Sequence, residues 1–322
     1  MSGRDQHLQA LRARVITPEL LAAMPLPDYG AAADKADRGK LLVIAGSRRL
    51  PGAAILVARA ALRTGCGTVR VAAPASVAMP IGVALPELMV LPLPETPAGT
   101  IALEALDEIE AQYEACSAMV FGPGLDEHEA TDELAWRIFQ GAPLPLLVDA
   151  QALLAVARRW QEERRAEPPA SPRMFTPHEV EMRTLSGEDV PEEGQDETGR
   201  EALARRWAQH LSATLVLKGR ETLIAAPDGA LYRNTAGTRG LGAAGSGDTL
   251  AGIIGSLLAQ GLEPPRAATW GVYLHALAGE AVSADFGEDG LLASDWVDRL
   301  PRVLRRLRSS STSATGAGGA VK

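Results

Sequence analysis

Short apolar runs alternate with helical patterns along most of this chain, and no other feature of the sequence restricts the fold as much. Runs typical of buried strands occur at residues 40–45, 68–72, 118–121, 145–149, 214–218 and 221–225. Helical patterns occur at 51–63, from 150 onward, at 248–258 and at 265–284. Strands that are apolar on both faces and alternate with helices form a mostly parallel sheet with helices on both sides. The predicted fold is therefore α/β, with three layers in the order α/β/α.

The 322 residues are predicted to form one domain with a short addition at each end. Residues 1–14 are a polar lead-in, residues 15–308 form the α/β domain, and residues 309–322 form a tail without periodicity. Thr17 followed by Pro18 is a typical helix start just inside the domain. The tail consists mainly of Ser, Thr, Gly and Ala, so we expect it to be disordered.

Charge and cysteine content argue against several classes of protein. The net charge of −8 disfavours a nucleic-acid partner, which usually requires a basic patch. Cys66 and Cys116 lack the spacing of a zinc site, so we expect two buried free thiols in a reducing compartment. We see no secretory leader and no apolar run of membrane-spanning length. The expected location is the cytoplasm, with small molecules as partners and neither membranes nor nucleic acids.

A glycine-rich segment, Gly240 to Asp248, comes directly before the helical pattern at 248–258. Glycines allow backbone N–H groups to converge without side-chain obstruction, and the start of a helix adds partial positive charge. Gly245, Ser246 and Gly247 are therefore predicted to form an anion hole suited to a phosphoryl group in transfer.

Two common phosphate-binding motifs do not fit this segment. Residues 240–245 match the dinucleotide pattern G-x-G-x-x-G, but a polar turn precedes them where that motif requires a strand. Pro264 and Pro265 occupy the place of the acidic residue that the motif needs about 20 positions later. A Walker loop is excluded because no Gly-Lys-Ser/Thr sequence follows.

Asp248 allows two interpretations. The structural one is an ordinary acidic residue at a helix N-cap. The functional one is a carboxylate that faces the anion hole and takes a proton from a substrate hydroxyl. Phosphoryl transfer needs such a base, donors around the transferred group and a cation. The sequence therefore predicts phosphoryl chemistry with Asp248 as the catalytic base.

The Gly-x-Gly-Asp sequence before a helix resembles the ribokinase-like superfamily and, within it, the NAD(P)H-hydrate dehydratase family. Further motifs similar to those of the family occur in the expected order: Gly46-Ser47 with Pro51-Gly52-Ala53-Ala54, Phe121-Gly122-Pro123-Gly124-Leu125, Asp149-Ala150 with Leu153-Leu154, Thr176-Pro177-His178 with Glu181, and Lys218-Gly219 with Thr222. Members of this family use ADP or ATP to dehydrate hydrated NADH and NADPH. The resemblance implies this activity, a ribokinase-like fold and a homo-oligomer. Mg²⁺ is expected from the chemistry, because clustered phosphate charge needs to be neutralised.

The resemblance also implies roles for individual residues. The substrate-binding residues would be Ala53, Gly124, His178 and Asp248. The nucleotide would be held by Lys218, Gly219, Arg220, Glu221, Thr222 and Gly247. The metal ligands are not identified, and the length leaves no room for the epimerase domain that is often fused to this family.

The sequence departs from the family pattern at three places, and we expect the first two to alter affinity or nucleotide preference. They are Glu179-Val180 for the usual Pro-Gly, Ala243-Ala244 for Thr-Gly, and Thr238-Arg239 for Asn-Pro. Asp248, Lys218 and His178, which carry the chemistry, are retained, so we expect activity.

Alternatives remain for single residues and for the function. His178 also fits a helix cap or a core histidine, and Lys218 a strand-edge lysine in a β-turn. A vitamin-precursor kinase of the same superfamily accounts equally well for the glycine loop and Asp248. A catalytically silent nucleotide-binding module is favoured only by the altered Ala243-Ala244. The motifs at Ala53 and His178 favour the dehydratase, for which ADP is the expected phosphoryl donor.

Overall fold

The computed structural model describes residues 13–30, 34–163, 169–193 and 196–316. Its strands are β1 (Arg14–Val15), β2 (Lys40–Ile44), β3 (Thr68–Pro74), β4 (Met89–Leu93), β5 (Ala118–Phe121), β6 (Leu146–Val148), β7 (Arg173–Phe175), β8 (Thr214–Leu217), β9 (Thr222–Ala225) and β10 (Leu231–Asn234). Its helices are α1 (Pro18–Ala22), α2 (Pro51–Arg63), α3 (Ala75–Ala84), α4 (Leu106–Glu110), α5 (Glu129–Gly141), α6 (Ala150–Glu162), α7 (Glu179–Ser186), α8 (Glu197–His210), α9 (Ser246–Ala259), α10 (Pro264–Phe286), α11 (Ala293–Val297) and α12 (Leu300–Gly316).

The strands form one sheet in the order β1-β10-β9-β8-β7-β6-β5-β2-β3-β4. Only β9 runs against its neighbours, β8 and β10, and every other pair in the sheet is parallel. The predicted mostly parallel sheet is therefore confirmed.

Alternate residues of each strand contribute to two separate cores. Val43 of β2 and Val120 of β5 belong to the core shared with α2, α9 and α10. Ile44 and Phe121, one position further along, belong to the core shared with α5, α6 and α8. This separation follows from the period of two along a strand, which sends successive side chains to opposite faces. It confirms the three-layer α/β/α arrangement.

Helix α9 lies unusually close to its neighbours because glycines face them. A Cβ on Gly252 would overlap the Val57 carbonyl oxygen of α2, and a Cβ on Gly255 would overlap Val120 of β5. These contacts hold the start of α9, which carries the glycine loop, close to the centre of the sheet.

The centre of the sheet contains a topological switch point. β2 and β5 are neighbours, and the chain continues from β2 to β3 and β4 on one side but from β5 to β6, β7 and β8 on the other. Ligands of open α/β sheets bind at the carboxyl ends of the strands beside such a point. The segments that begin at Gly46, Gly122, Asp149 and Lys218 all leave the sheet at this edge.

Most of the predicted segments are confirmed, and several polar or short ones were missed. Helix α2 and strand β5 have the predicted bounds, and the Thr17 side chain caps α1 by accepting the Leu20 N–H at 3.2 Å. The missed strands are β1, β4, β7 and β10. They are short, contain proline or carry polar residues, so they lack the continuous apolar run that predicts a buried strand.

The prediction that no strand precedes the glycine loop was wrong. Strand β10 ends at Asn234 and is partly polar because it lies next to the edge of the sheet, where only the two-residue β1 covers it. The dinucleotide motif still does not apply, because residues 235–245 separate β10 from α9 and include a 3₁₀ turn at Arg239–Leu241. Helix α9 begins at Ser246, two residues earlier than predicted.

The C-terminal helix extends further than expected. Helix α12 continues to Gly316, beyond the predicted start of a disordered tail at Ser309. The Ser, Thr and Ala residues that follow Leu307 contain no strong helix breaker, so a helix nucleated by the preceding amphipathic turns can continue. Residues 317–322, and residues 1–12 of the lead-in, lie outside the described residues, and the division into lead-in, domain and tail stays a prediction. None of the described helices is both long and apolar enough to cross a membrane.

Candidate active site

Two glycine-containing loops meet at the switch point. The Gly46 N–H donates to the Pro123 carbonyl oxygen at 2.8 Å, which joins the loop after β2 to the loop after β5. Gly124 has φ +69°, and a Cβ there would lie 2.6 Å from Ala53 Cβ and 2.7 Å from the Leu50 carbonyl oxygen. Gly124 and Ala53, both predicted to bind the substrate, are therefore brought together.

We expect Gly124→Ala to damage this junction. Alanine disfavours a left-handed conformation by about 1–2 kcal/mol, and its Cβ would overlap Ala53 and the Leu50 carbonyl oxygen. The variant should show a lower melting temperature and a higher KM for the substrate that the resemblance implies. Gly52→Ala is the matched control, since a Cβ there meets nothing within 4 Å. Equal melting temperatures and equal KM values for Gly124→Ala and Gly52→Ala would contradict a role for Gly124 in this junction.

A cluster of charged side chains follows β6, β7 and β8. Lys218 Nζ donates to Asp149 Oδ1 at 3.0 Å and lies 3.6 Å from Glu181 Oε2. The Thr176 hydroxyl donates to the same Asp149 oxygen at 2.7 Å. Ala150, directly after Asp149, has φ +48°, a conformation that costs a non-glycine residue energy and is often retained at functional sites. The strained residue therefore lies directly beside the carboxylate that Lys218 contacts.

Lys218 remains a cation in this environment. Burial alone would lower its pKa, but the charges and hydrogen bonds of Asp149 and Glu181 outweigh burial, and the pKa of Lys218 is raised. The interpretation of Lys218 as an ordinary strand-edge lysine does not fit, since its side chain is only 19% exposed and contacts two carboxylates.

His178 has the structural role that its sequence context allowed. It is the N-cap of α7, where its Nδ1 accepts the Val180 and Glu181 N–H groups at 3.1 and 3.3 Å. Glu181 Oε2 in turn accepts the His178 N–H at 2.7 Å, which completes a capping box. Because Nδ1 is an acceptor, the neutral ring carries its hydrogen on Nε2. The His178 side chain is 53% exposed, so a ligand can reach the ring, and its Nε2 lies 3.6 Å from Glu181 Oε1.

Asp248 is not a helix cap. It is the third residue of α9, Gly245 is the N-cap with φ +84°, and no side chain caps this helix. A Cβ on Gly247 would lie 3.6 Å from Lys218 Nζ, which places the ammonium group beside the glycine loop. Burial, together with the negative charge of Asp149 and against the opposing charge of Lys218, raises the pKa of Asp248 to about 7. Asp248 is thus a carboxylate suited to accept a proton near neutral pH.

The raised pKa of Asp248 predicts a pH-dependent stability. The folded protein retains a proton on Asp248 between its ordinary pKa of 3.8 and about 7, whereas the unfolded chain has lost it. The free energy of unfolding therefore falls as the pH rises through this window, by up to about 4 kcal/mol. Asp248→Asn should melt at a higher temperature than wild type at pH 8 and lose this advantage towards pH 4. A constant difference in melting temperature between pH 4 and pH 8 would contradict the shift.

The segment from Lys218 to Thr222, which is predicted to bind the nucleotide, is stabilised by residues that do not belong to its motif. The Glu193 carboxylate accepts the Arg220 N–H at 3.0 Å and the Glu221 N–H at 2.7 Å. Arg200 is 2% exposed and lies 3.9 Å from the same carboxylate. Sequence patterns gave no signal for Glu193 or Arg200, because both act from a separate segment of chain.

The predicted site residues thus converge at one edge of the sheet. Gly247 and Asp248 lie beside Lys218, Lys218 contacts Glu181, and Glu181 contacts His178. The residues 41–302 match the family model for NAD(P)H-hydrate dehydratase.

This chain belongs to the NAD(P)H-hydrate dehydratase family.

Relatives support the assignment along almost the whole chain. The ADP-dependent (S)-NAD(P)H-hydrate dehydratase of Xanthomonas campestris is 38% identical over 92% of this chain and 98% of its own length. The Bacillus subtilis enzyme of the same name is 33% identical over 87% of this chain and 94% of its own. The bifunctional NAD(P)H-hydrate repair enzyme Nnr of Moorella thermoacetica is 38% identical, and this chain covers 54% of it.

Solved structures agree with the family and with the ribokinase-like fold. The ADP/ATP-dependent NAD(P)H-hydrate dehydratase from Bacillus subtilis, co-crystallised with ATP and Mg²⁺, is 30% identical with a TM-score of 0.77 over 92% of this chain and all of its own. A hydroxyethylthiazole kinase from Pyrococcus horikoshii is 16% identical with a TM-score of 0.56, which shows a shared fold alone.

Proposed function

We propose that this member of the dehydratase family repairs hydrated NADH and NADPH by phosphorylating the ring hydroxyl and then eliminating phosphate. The observation that carries the proposal is Asp248, a partly buried carboxylate whose pKa is raised to about 7, beside Lys218 at the glycine loop. Two relatives that this chain covers over more than nine-tenths of their length are named ADP-dependent dehydratases, which supports ADP as the phosphoryl donor here.

In the first step, Asp248 takes the proton of the ring hydroxyl, whose oxygen then attacks the terminal phosphorus of ADP or ATP. The bond to the bridging oxygen breaks, and AMP or ADP leaves with that electron pair. Lys218 and the backbone N–H groups of Gly245, Ser246 and Gly247 would stabilise the charge on the transferred group. Preorganised donors of this kind supply a large part of the rate enhancement in such reactions.

In the second step, the phosphate ester leaves the ring. The lone pair of the ring nitrogen expels phosphate, and loss of a proton from the neighbouring carbon restores the dihydropyridine. The oxygen of the added water leaves in the phosphate, so the reaction is a net dehydration coupled to cleavage of the nucleotide. Ala53, Gly124 and the half-exposed His178 would hold the nicotinamide nucleotide during both steps.

We propose that Mg²⁺ arrives with the nucleotide. No group of three or more His, Cys, Asp or Glu side chains in the described part of the chain is placed to hold a metal ion. Magnesium usually keeps several waters and is bound through one or two carboxylates together with substrate phosphates. Asp149 and Glu181 would hold the ion through the carboxylate oxygens that do not contact Lys218, and its charge would neutralise part of the phosphate charge.

The rival functions differ in the fate of the phosphorylated intermediate. A vitamin-precursor kinase would release a stable phosphorylated product, and a silent module would bind nucleotide without turnover. Membership of the dehydratase family favours elimination, since the kinase resemblance extends to the fold alone.

The test follows the recovery of reduced-nicotinamide absorbance when the protein meets hydrated NADH, Mg²⁺ and either ADP or ATP. Recovery that depends on the nucleotide supports the dehydratase and identifies its phosphoryl donor. Binding of nucleotide without recovery of absorbance would overturn the proposal in favour of the kinase or the silent module.

We also propose a homo-oligomer in the cytoplasm. Met79 and Val83, four residues apart on α3, are each 74% exposed, and Met89 on the edge strand β4 is 50% exposed. A self-association surface would bury such side chains. Val83→Glu should then shift the mass measured by light scattering from that of an oligomer to that of a monomer, and a monomeric wild type would contradict this.

The proposed location in the cytoplasm is supported by Cys66 and Cys116, since two free thiols fit a reducing compartment.

A further inference from the structure

A buried histidine lies beneath the anion loop and has no part in the chemistry above. His275 on α10 is 8% exposed, and α10 packs against α9. Its Nε2 lies 3.3 Å from Ser246 Oγ and 3.2 Å from Thr249 Oγ1, both in the first turn of α9. Trp296 packs edge-on against the imidazole with ring centroids 5.9 Å apart, which fixes the orientation of the ring.

The hydrogen-bond partners of Thr249 determine which atom of His275 carries the hydrogen. The Thr249 hydroxyl donates its single hydrogen to the Ser246 carbonyl oxygen at 2.8 Å. The Thr249 hydroxyl oxygen itself accepts the Trp296 indole N–H at 3.0 Å. A hydroxyl has one donor and two acceptor positions. The remaining contact, with His275 Nε2, must therefore use an N–H group on the histidine.

This tautomer has a consequence for Ser246. Burial lowers the pKa of His275 to about 4, so the ring is neutral and carries one hydrogen. If that hydrogen is on Nε2, Ser246 Oγ accepts from it and keeps its own hydrogen. With the other tautomer, Ser246 would donate its hydrogen to Nε2 and have none left for a ligand. Ser246 belongs to the predicted anion hole.

We propose that His275 is a positioning residue that donates its Nε2–H group to Ser246 and Thr249 and thereby leaves the Ser246 hydroxyl free to donate to the bound phosphate. The inference rests on the proposed nucleotide site and goes beyond it by assigning a side-chain donor to the anion hole. A hydroxyl donating to a charged phosphate would tighten ADP binding by about tenfold.

The decisive experiment measures ADP binding by calorimetry in full-length variants. His275→Leu removes the donor, whereas His275→Gln keeps an N–H group near the position of Nε2. We expect His275→Leu and Ser246→Ala each to weaken ADP binding by about tenfold, and His275→Gln to restore most of the loss. The double variant His275→Leu with Ser246→Ala should bind ADP no more weakly than either single variant.

Several outcomes would overturn the inference. His275→Leu that melts at a lower temperature but binds ADP normally would leave His275 a purely structural role. Additive losses of ADP affinity in the double variant would show that His275 does not act through Ser246. Equal losses of ADP affinity in His275→Leu and His275→Gln would show that the N–H donor at this position does not affect binding.

A second measurement does not depend on the proposed function. Long-range proton–nitrogen NMR of isotope-labelled histidine, with His275→Gln to assign the signal, distinguishes the two tautomers. We expect the hydrogen on Nε2 of His275, and a hydrogen on Nδ1 would refute the inference even if the protein binds ADP. A protein with the expected tautomer that binds ADP but does not dehydrate hydrated NADH would instead contradict the proposed function alone.

Discussion

Asp248→Asn is expected to reduce the rate of absorbance recovery by about a thousandfold, which is within the usual contribution of a general base. Asparagine has nearly the same shape but cannot take the proton of the ring hydroxyl. The variant should bind ADP at least as well as wild type, because it removes a negative charge from a phosphate site. Calorimetry for ADP and the absorbance assay together separate these two effects.

Asp132→Asn serves as the matched control for this variant. Asp132 lies on α5, is 39% exposed and pairs with Arg158 at 2.8 Å, so the same chemical change there should leave turnover unchanged. Turnover of Asp248→Asn within a few-fold of wild type would remove Asp248 from the role of base.

Lys218→Met is expected to damage both stability and binding. The methionine would leave Asp149, Glu181 and Asp248 close together without the cation that lies among them. Removing one partner of a buried ion pair costs about 3–5 kcal/mol, so the melting temperature should fall clearly. ADP affinity should fall by at least about tenfold, because a charge-assisted contact to phosphate would be lost.

A second substitution distinguishes the two effects of Lys218. Asp149→Asn combined with Lys218→Met removes one of the uncompensated charges, so it should recover much of the melting temperature without recovering ADP binding or turnover. Lys40→Met is the control, because Lys40 lies at the start of β2, at the opposite edge of the sheet. This variant should retain ADP binding and turnover. If the double variant regained ADP binding, Lys218 would be only a structural counter-ion.

The sequence predicted the parts of the site that depend on local backbone chemistry. Gly245, Gly247 and Asp248 lie close together along the chain. A glycine loop directly before a helix forms an anion-binding site in any fold that contains the loop and the helix. The strands that come directly before Asp149 and Lys218 are continuous apolar runs, so these two polar residues were visible as the points where the runs stop. The resemblance to the family added His178 and Ala53, which no local pattern would have identified alone.

The sequence was less informative where a residue has more than one possible role. His178 was compatible with a cap, a core position or a ligand contact, and it is a cap whose side chain is half exposed. Asp248 was compatible with a helix cap, and the structure excludes that role because α9 begins two residues earlier. Strand β10 was missed because its polar residues suit a strand next to the sheet edge as well as a turn.

By itself, the sequence determined the α/β fold class, the parallel central strands, the glycine loop and the acidic residue that follows it, since each depends on residues close together along the chain. Only the tertiary structure decided which distant side chains set the properties of that residue. Asp149 and Lys218 approach Asp248 from separate strand ends, Glu193 supports the nucleotide loop from another segment, and His275 reaches Ser246 from a neighbouring helix. Burial and charge act through space, and no spacing along the chain encodes those distances.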